Sequence, residues 1–173
     1  SKFSDYNKLS NINISGIHFH IGSQILNLSP FEKLCKITNE TLSYLEEYGV
    51  SIRKINVGGG LGIDYKDPEN NLISNFKDFI HLFNSKIKLK NNQSIHFELG
   101  RSIVGQCGFL ISKILYSKKS YNKNFIVLDS GMNNLIRPAL YNSKHKISNI
   151  SSRSNKIKAY DIVGPICEST DTF

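Results

Sequence analysis

The sequence predicts an α/β fold built on parallel strands, followed by an all-β segment. Three observations predict it. Up to Arg101, strand-like runs alternate with amphipathic helical runs through short connections. Each of those strand-like runs ends in a cluster of polar or glycine residues. Beyond residues 101–104 the helical period is lost and only β-like runs remain.

The first strand covers residues 13–19 (NISGIHF) and runs into His20-Ile21-Gly22-Ser23. A helix start follows. Ser29 stands as N-cap, Pro30 at the first helical position and Glu32 three residues after the cap. Phe31, Leu34, Cys35, Thr38, Leu42, Leu45 and Tyr48 then recur at helical spacing, and Gly49 marks the stop. The second strand is 52–57 (IRKINV), ending in Gly58-Gly59-Gly60-Leu61-Gly62. A second helix is expected over 74–88, with Phe76, Phe79, Ile80, Phe83 and Ile87 on one face. The third strand, 94–98 (SIHFE), ends in Leu99-Gly100-Arg101. This β-α-β-α-β order implies parallel strands and right-handed crossovers. Ligands bind at the C-terminal ends of such strands, where the polar clusters fall.

A domain boundary is placed near residues 101–104. After it, 103–117 reads as one long β-like stretch, 124–128 (NFIVL) and 156–163 as strands, and the Ser- and Asn-rich 143–155 as a loop. No internal repeat is visible.

Composition narrows the function class. The 173 residues are 39% hydrophobic, enough for one substantial core or for pieces of two domains. The net charge of +8 is spread along the chain, and the Lys86, Lys88, Lys90 cluster lacks interleaved aromatics, which argues against a nucleic-acid surface. No apolar run reaches bilayer length. Residues 1–10 are polar and unlike a signal peptide. Cys35, Cys107 and Cys167 form no CxxC pair, so neither a disulfide framework nor a metal site is expected, and a cytoplasmic setting fits.

Five constellations carry chemistry. The 58–62 glycine loop lets backbone N–H groups approach a phosphate; the plainer reading is a tight turn. It is neither GxGxxG nor a P-loop. His18 reads as a core histidine, whereas His20 at the strand end can lie against a flat ring; Ser23 is a turn residue or a phosphate donor. Glu98 can keep a pyridine nitrogen protonated, and Arg101 can clamp a carboxylate or phosphate; a strand-end salt bridge is the alternative. Arg137 and Tyr141, four apart, can reach one carboxylate, unless they belong to a plain surface loop. Cys167 beside Glu168 suits proton transfer. Cys35 and Cys107 read as small buried hydrophobes.

In this order, the segments GIHFHIGSQ (16–24), NVGGGLGIDY (56–65), FELGRSIV (97–104), VLDSGMNNLIRPALY (127–141) and DIVGPICESTD (161–171) resemble the pyridoxal-phosphate (PLP) decarboxylases of the alanine-racemase-like barrel fold. The IRPALY and GPICES forms resemble the diaminopimelate-acting branch of that family. The resemblance implies the C-terminal part of a PLP-binding (β/α)8 barrel followed by the beginning of an all-β domain, with residues 1–101 as the last three barrel strands and helices and 102–173 as the first part of the β domain. It implies that His20 stacks on the PLP ring and that Ser23, Gly58, Gly59, Gly60, Gly62 and the Glu98-Leu99-Gly100-Arg101 turn hold the phosphate. Glu98 would pair with the pyridine nitrogen. Arg101, Arg137 and Tyr141 would bind substrate carboxylate. Cys167 would protonate the carbanion, and Glu168 would recognise a distal ammonium group, both acting across a homodimer interface. The implied reaction is decarboxylation of meso-2,6-diaminopimelate to L-lysine and carbon dioxide.

Two positions depart from the family pattern: Leu99 replaces a usual proline, and Thr170 a usual glycine, which would strain threonine if the site needs positive φ. The Schiff-base lysine implied on an early barrel strand has no counterpart, so the chain is expected to be a segment of a longer polypeptide and inactive alone. Competing readings are a decarboxylase of arginine, ornithine or carboxynorspermidine, a non-catalytic relative, and a nucleotide-binding α/β domain.

Overall fold

The structure, a computed structural model, describes residues 10–71 and 74–173. Of the polar stretch 1–10, read above as unlike a signal peptide, residues 1–9 lie outside the described residues. The chain forms two compact units. One comprises Ser1–Ile63 and Asn71–Cys107; the other comprises Asp64–Asn70 and Gly108–Phe173. The short segment after the glycine loop thus belongs to the second unit.

In the first unit, β1 (Gly16–His18), α1 (Ser29–Glu47), β2 (Lys54–Asn56), α2 (Phe76–Lys86) and β3 (Ser94–His96) alternate, and a short α3 (Arg101–Val104) follows. The strands are parallel in the order β1-β2-β3. Their register places His18 beside Asn56 and Asn56 beside His96. The core lies between this sheet and the two long helices. Phe31 of α1 meets Phe79 and Phe83 of α2 edge-on, with centroids 4.9 and 6.1 Å apart, over the buried Ile55 and Val57. These are the helical positions that the periodicity marks as apolar.

Local chemistry sets the ends. Gly49 (φ 74°) closes α1, as expected: its N–H donates to the Glu46 carbonyl at 2.9 Å, and that of Val50 donates to Leu45 at 2.9 Å. The start of α1 differs from expectation. Its N-cap is Leu28, and the Ser29 hydroxyl does not cap; instead the Ser29 N–H donates to Asn27 Oδ1 at 2.8 Å. The Phe31 and Glu32 N–H groups, which a Ser29 cap would have engaged, donate to the Leu28 carbonyl at 2.9 and 3.1 Å instead. Asn75 caps α2, accepting the Asp78 N–H at 3.1 Å.

In the second unit, β4 (Ile114–Ser120) runs antiparallel to β5 (Lys123–Leu128), which pairs in parallel with β6 (Asp161–Val163). Two expectations are corrected here. The 103–117 stretch is not one β run: α3 comes first and β4 begins only at Ile114. Nor is the region after residue 101 all-β, because α4 (Arg137–Tyr141) forms a turn of helix. Pro138 in its first turn presets φ, and five residues are too few to display a helical period. Asn142 ends α4 in the left-handed region (φ 49°). No regular element covers 142–160, and the strand expected over 156–163 forms only at 161–163. Among the described residues, no helix is long and apolar enough to cross a membrane.

Candidate functional site

The first unit gathers its polar residues where β1, β2 and β3 end. Past β2, the chain must turn tightly between the exits of its two neighbours. A Cβ on Gly59 would strike the Glu98 carbonyl oxygen, and Gly60 (φ 103°) lies where a Cβ would meet the Gly22 carbonyl at 2.5 Å. The glycine run is therefore a steric necessity of this rim. The Glu98 N–H donates to the Gly58 carbonyl at 2.8 Å, and the Gly59 N–H approaches His20 Nδ1 at 3.5 Å. The Gly62 N–H donates to Ile25 at 3.0 Å, and its carbonyl accepts the Ser74 hydroxyl at 3.0 Å. His20, Gly58, Gly59, Gly60 and Glu98 thus stand together on one edge of the sheet. Ser23 is exposed in the turn between β1 and the Ile25–Leu61 bridge.

Glu98 is held at both oxygens. Asn56 Nδ2 donates to Oε1 at 2.8 Å, and His18 Nε2 lies 3.3 Å from Oε2. His18 is therefore not the core histidine expected. Its side chain is 54% exposed and it faces a carboxylate, because the parallel register carries three side chains of successive strands to the same rim. Asn56 and His18 are the orienting residues that sequence reasoning missed. Each oxygen keeps a further lone pair for another donor.

Arg101 donates to Gln24 Oε1 at 3.0 Å, and the Gln24 amide also bonds the Ile63 carbonyl at 2.5 Å. Gln24 itself sits at φ 61°, an uncommon conformation for a non-glycine residue. It ties the β1 exit, the glycine loop and Arg101 into one frame, and no local signal marked it. Leu99 packs its half-buried side chain against the apolar core, so a proline's fixed φ is replaced there by side-chain burial. Gly100 is the N-cap of α3. The first N–H groups of that turn have no intrahelical acceptor.

The second unit carries Arg137 and Tyr141 on α4, with the Arg137 guanidinium carbon 5.6 Å from the Tyr141 ring centroid. Spacing of four on a helix makes that contact local. Cys167 and Glu168 are exposed in the loop after β6. The Ser169 hydroxyl (3.1 Å) and then the Thr170 N–H (3.4 Å) hold the Glu168 carboxyl below its usual range. Thr170 is not in the left-handed region, so the strain considered for that departure is absent.

One residue organises this loop and had no role in the sequence reading. Asp171 is 2% exposed. Its Oδ1 accepts the Met132 N–H at 2.6 Å and its Oδ2 the Ile166 N–H at 2.8 Å. A Cβ on Gly164 would collide with that carboxylate. A single buried carboxylate thus joins the 129–134 turn, which leads into α4, to the Cys167–Glu168 loop.

The thiols divide by environment. Burial pushes Cys35 up to about 11, as fits an inert core residue. Cys107 is exposed after α3 and is neither buried nor in a strand, contrary to expectation, because the chain turns at Gly105 and Gln106 as it leaves the helix.

Comparison with known proteins places the chain in a family. The chain is 50% identical over 166 residues to a diaminopimelate decarboxylase of Bacteroides thetaiotaomicron, covering 96% of this chain and 43% of that protein. It is 40% identical over 169 residues to the Aquifex aeolicus diaminopimelate decarboxylase, covering 95% and 38%. The crystal structure of the Helicobacter pylori diaminopimelate decarboxylase complexed with L-lysine superposes with a TM-score of 0.85 at 37% identity, over 99% of this chain and 41% of that one. The chain therefore spans well under half the length of the relatives it matches. The family model for the C-terminal sheet domain of pyridoxal-dependent decarboxylases matches residues 7–173, and the chain belongs to that family.

Proposed function

We propose that the polypeptide carrying this chain decarboxylates meso-2,6-diaminopimelate to L-lysine and carbon dioxide with PLP as cofactor. The observation that carries this reading is the convergence of His20, Gly58–Gly60 and Glu98 on one strand-end rim. Relatives named diaminopimelate decarboxylase at 50% and 40% identity support the substrate. In this reading residues 1–101 supply the last three strands and helices of a (β/α)8 barrel, and 102–173 the first part of a C-terminal β domain. The parallel β1-β2-β3 order with intervening helices supports the barrel.

The residues present fit the cofactor. A glycine rim that admits no side chain suits a phosphate, and a carboxylate fixed by two neighbours suits a protonated ring nitrogen. Bound PLP supplies an electron sink for the pair released with the carboxylate. His20 stacks on the ring. Ser23, Gly58, Gly59, Gly60, Gly62 and the Leu99-Gly100-Arg101 turn hold the phosphate. Glu98 keeps the ring nitrogen protonated, with His18 and Asn56 fixing its orientation. Arg101, Arg137 and Tyr141 bind substrate carboxylate. Cys167 returns a proton to the reacting carbon. Glu168 pairs with the distal ammonium, and a site built for that group rejects substrates lacking it. Cys167 and Glu168 serve the partner's site in a homodimer. The setting is cytoplasmic.

The test uses the whole polypeptide. Carbon dioxide release is measured from meso-diaminopimelate, ornithine, arginine and carboxynorspermidine, alongside visible absorbance on PLP addition. Turnover of the first substrate alone is expected. Turnover of another in its place would reassign the substrate, and no spectral change with PLP would end the cofactor reading. Cys167→Ala is expected to lower turnover while PLP affinity is kept; equal loss of both would make Cys167 structural.

A further inference from the structure

We propose that Tyr65 is a positioning residue for Arg137: its ring orients the guanidinium toward an anionic ligand without neutralising it. The inference rests on the reading that Arg137 binds substrate carboxylate, and it adds a residue from a distant part of the chain.

Tyr65 lies just beyond the glycine loop, yet its segment, Asp64–Asn70, belongs to the second unit. The Arg137 guanidinium carbon stands over its ring at 5.5 Å, as close as its 5.6 Å to the Tyr141 ring on its own helix. Arg137 Nε is buried and has no hydrogen-bond partner. Among the described residues, no carboxylate lies within ion-pair distance of Arg137. Three carboxylates lie on the Tyr65 segment, and each is engaged elsewhere: Lys146 pairs with Glu69 at 2.6 Å and Asp67 at 3.9 Å, and Asp64 accepts backbone N–H groups of its own turn.

The segment is itself well held. Asp64 Oδ1 accepts the N–H groups of Lys66 and Asp67 at 2.8 and 3.1 Å, forming a tight Asx-type turn next to Tyr65. The His145 ring meets the Tyr65 ring edge-on at 4.7 Å and 68°. Tyr65 is thus wedged between an imidazole and a guanidinium.

The physical distinction is between two ways to orient an arginine. A carboxylate partner fixes the fork but uses its donors and cancels its charge. An aromatic face attracts the cation through its quadrupole and leaves the in-plane N–H groups pointing outward. With Asp67 and Glu69 on Lys146 and Asp64 in its own turn, Arg137 keeps both its charge and its donors for a ligand carboxylate.

The experiment compares Tyr65→Leu, Tyr65→Phe, Arg137→Lys and the Tyr65→Leu/Arg137→Lys pair in the full-length PLP-loaded enzyme. Tyr65→Leu is expected to raise KM for the carboxylate substrate about five- to tenfold with kcat little changed. It should weaken calorimetric binding of L-lysine by the same factor. Tyr65→Phe, which keeps the ring, restores both. In Arg137→Lys the second change adds little, because the orienting contact is already lost. Equal KM increases in the Leu and Phe variants, or additive effects in the pair, would overturn the proposal. If Tyr65→Leu does not fold, Tyr65→Met keeps the volume without the ring; the same KM rise is expected, and an unchanged KM refutes the role. An Arg137→Lys enzyme with unaltered KM would instead remove the substrate role of Arg137, a failure distinct from that of Tyr65.

Discussion

The two units are stabilised by different physics. Among the described residues, every buried apolar side chain except Val127 lies in the first unit, where Phe31, Phe79 and Phe83 form one aromatic cluster beneath the parallel sheet. In the second unit β4 is exposed nearly throughout, and Tyr121 and Ile157 are fully exposed. Its few buried groups include the polar Ser130 and Asp171. Its geometry comes from strand pairing, the Asp171 carboxylate and the stacking around Arg137. The first unit holds its rim by burying area, at roughly 25 cal/mol per Å², while the second holds its loops by satisfying specific donors. Damage to the first should cost stability, and damage to the second should cost loop placement.

The largest effect that would break this comparison is expected at Phe79. Phe79→Ala removes the ring that touches Phe31, Phe83 and Phe97 and should cost about 3–5 kcal/mol in denaturant unfolding. A cost under about 1 kcal/mol would mean that the aromatic cluster does not carry the first unit. Next comes the second unit's own contrast. Asp171→Ala strands the Met132 and Ile166 N–H groups and should cost about 2–3 kcal/mol. Val127→Ala, at the one buried apolar position of that sheet, should cost about 1 kcal/mol. The reverse order would show that apolar burial dominates there too.

Thiol labelling sharpens the same contrast without unfolding. In the folded protein iodoacetamide should modify Cys107 and Cys167 and spare Cys35, whose pKa of about 11 leaves little thiolate near neutral pH. After unfolding all three should react alike; early labelling of Cys35 would reveal a loose first-unit core. The smallest effect is electrostatic. The Ser169 hydroxyl bond lowers the Glu168 pKa, so the carboxylate stays charged to more acidic pH than an ordinary glutamate. By linkage, its stabilising contribution is present above the unfolded-state pKa and fades as pH falls through the lower folded value. Ser169→Ala should move the Glu168 carbon-13 titration midpoint upward, and an unmoved midpoint would assign the shift to the backbone alone.

Much of the rim was legible because it depends on short-range pattern. The period of Phe31, Leu34 and Cys35 set α1, and Gly49 stopped it. The glycine run announced a tight strand exit, and His20 and Glu98 fell at the ends of neighbouring strands. His18 looks like a core residue in the sequence because its partner, Glu98, lies eighty residues on and is brought near only by the parallel register. Helix α4 escaped notice because five residues cannot show a period, and α3 because a four-residue turn resembles a β-like run in composition.

What the sequence alone determined is the order of elements, the strand-end placement of the glycine and charged motifs, and the family they resemble. These follow from interactions between residues a few positions apart, which periodicity and turn chemistry record directly. Which distant side chains share a site is set by the three-dimensional packing: Asn56 and His18 on Glu98, Gln24 on Arg101, Asp171 under the Cys167 loop, Tyr65 on Arg137. Those pairings depend on strand register and on the path of the 64–70 segment. Both are fixed by the burial and hydrogen bonding of the whole chain, and so leave no periodic trace at the residues they bring together.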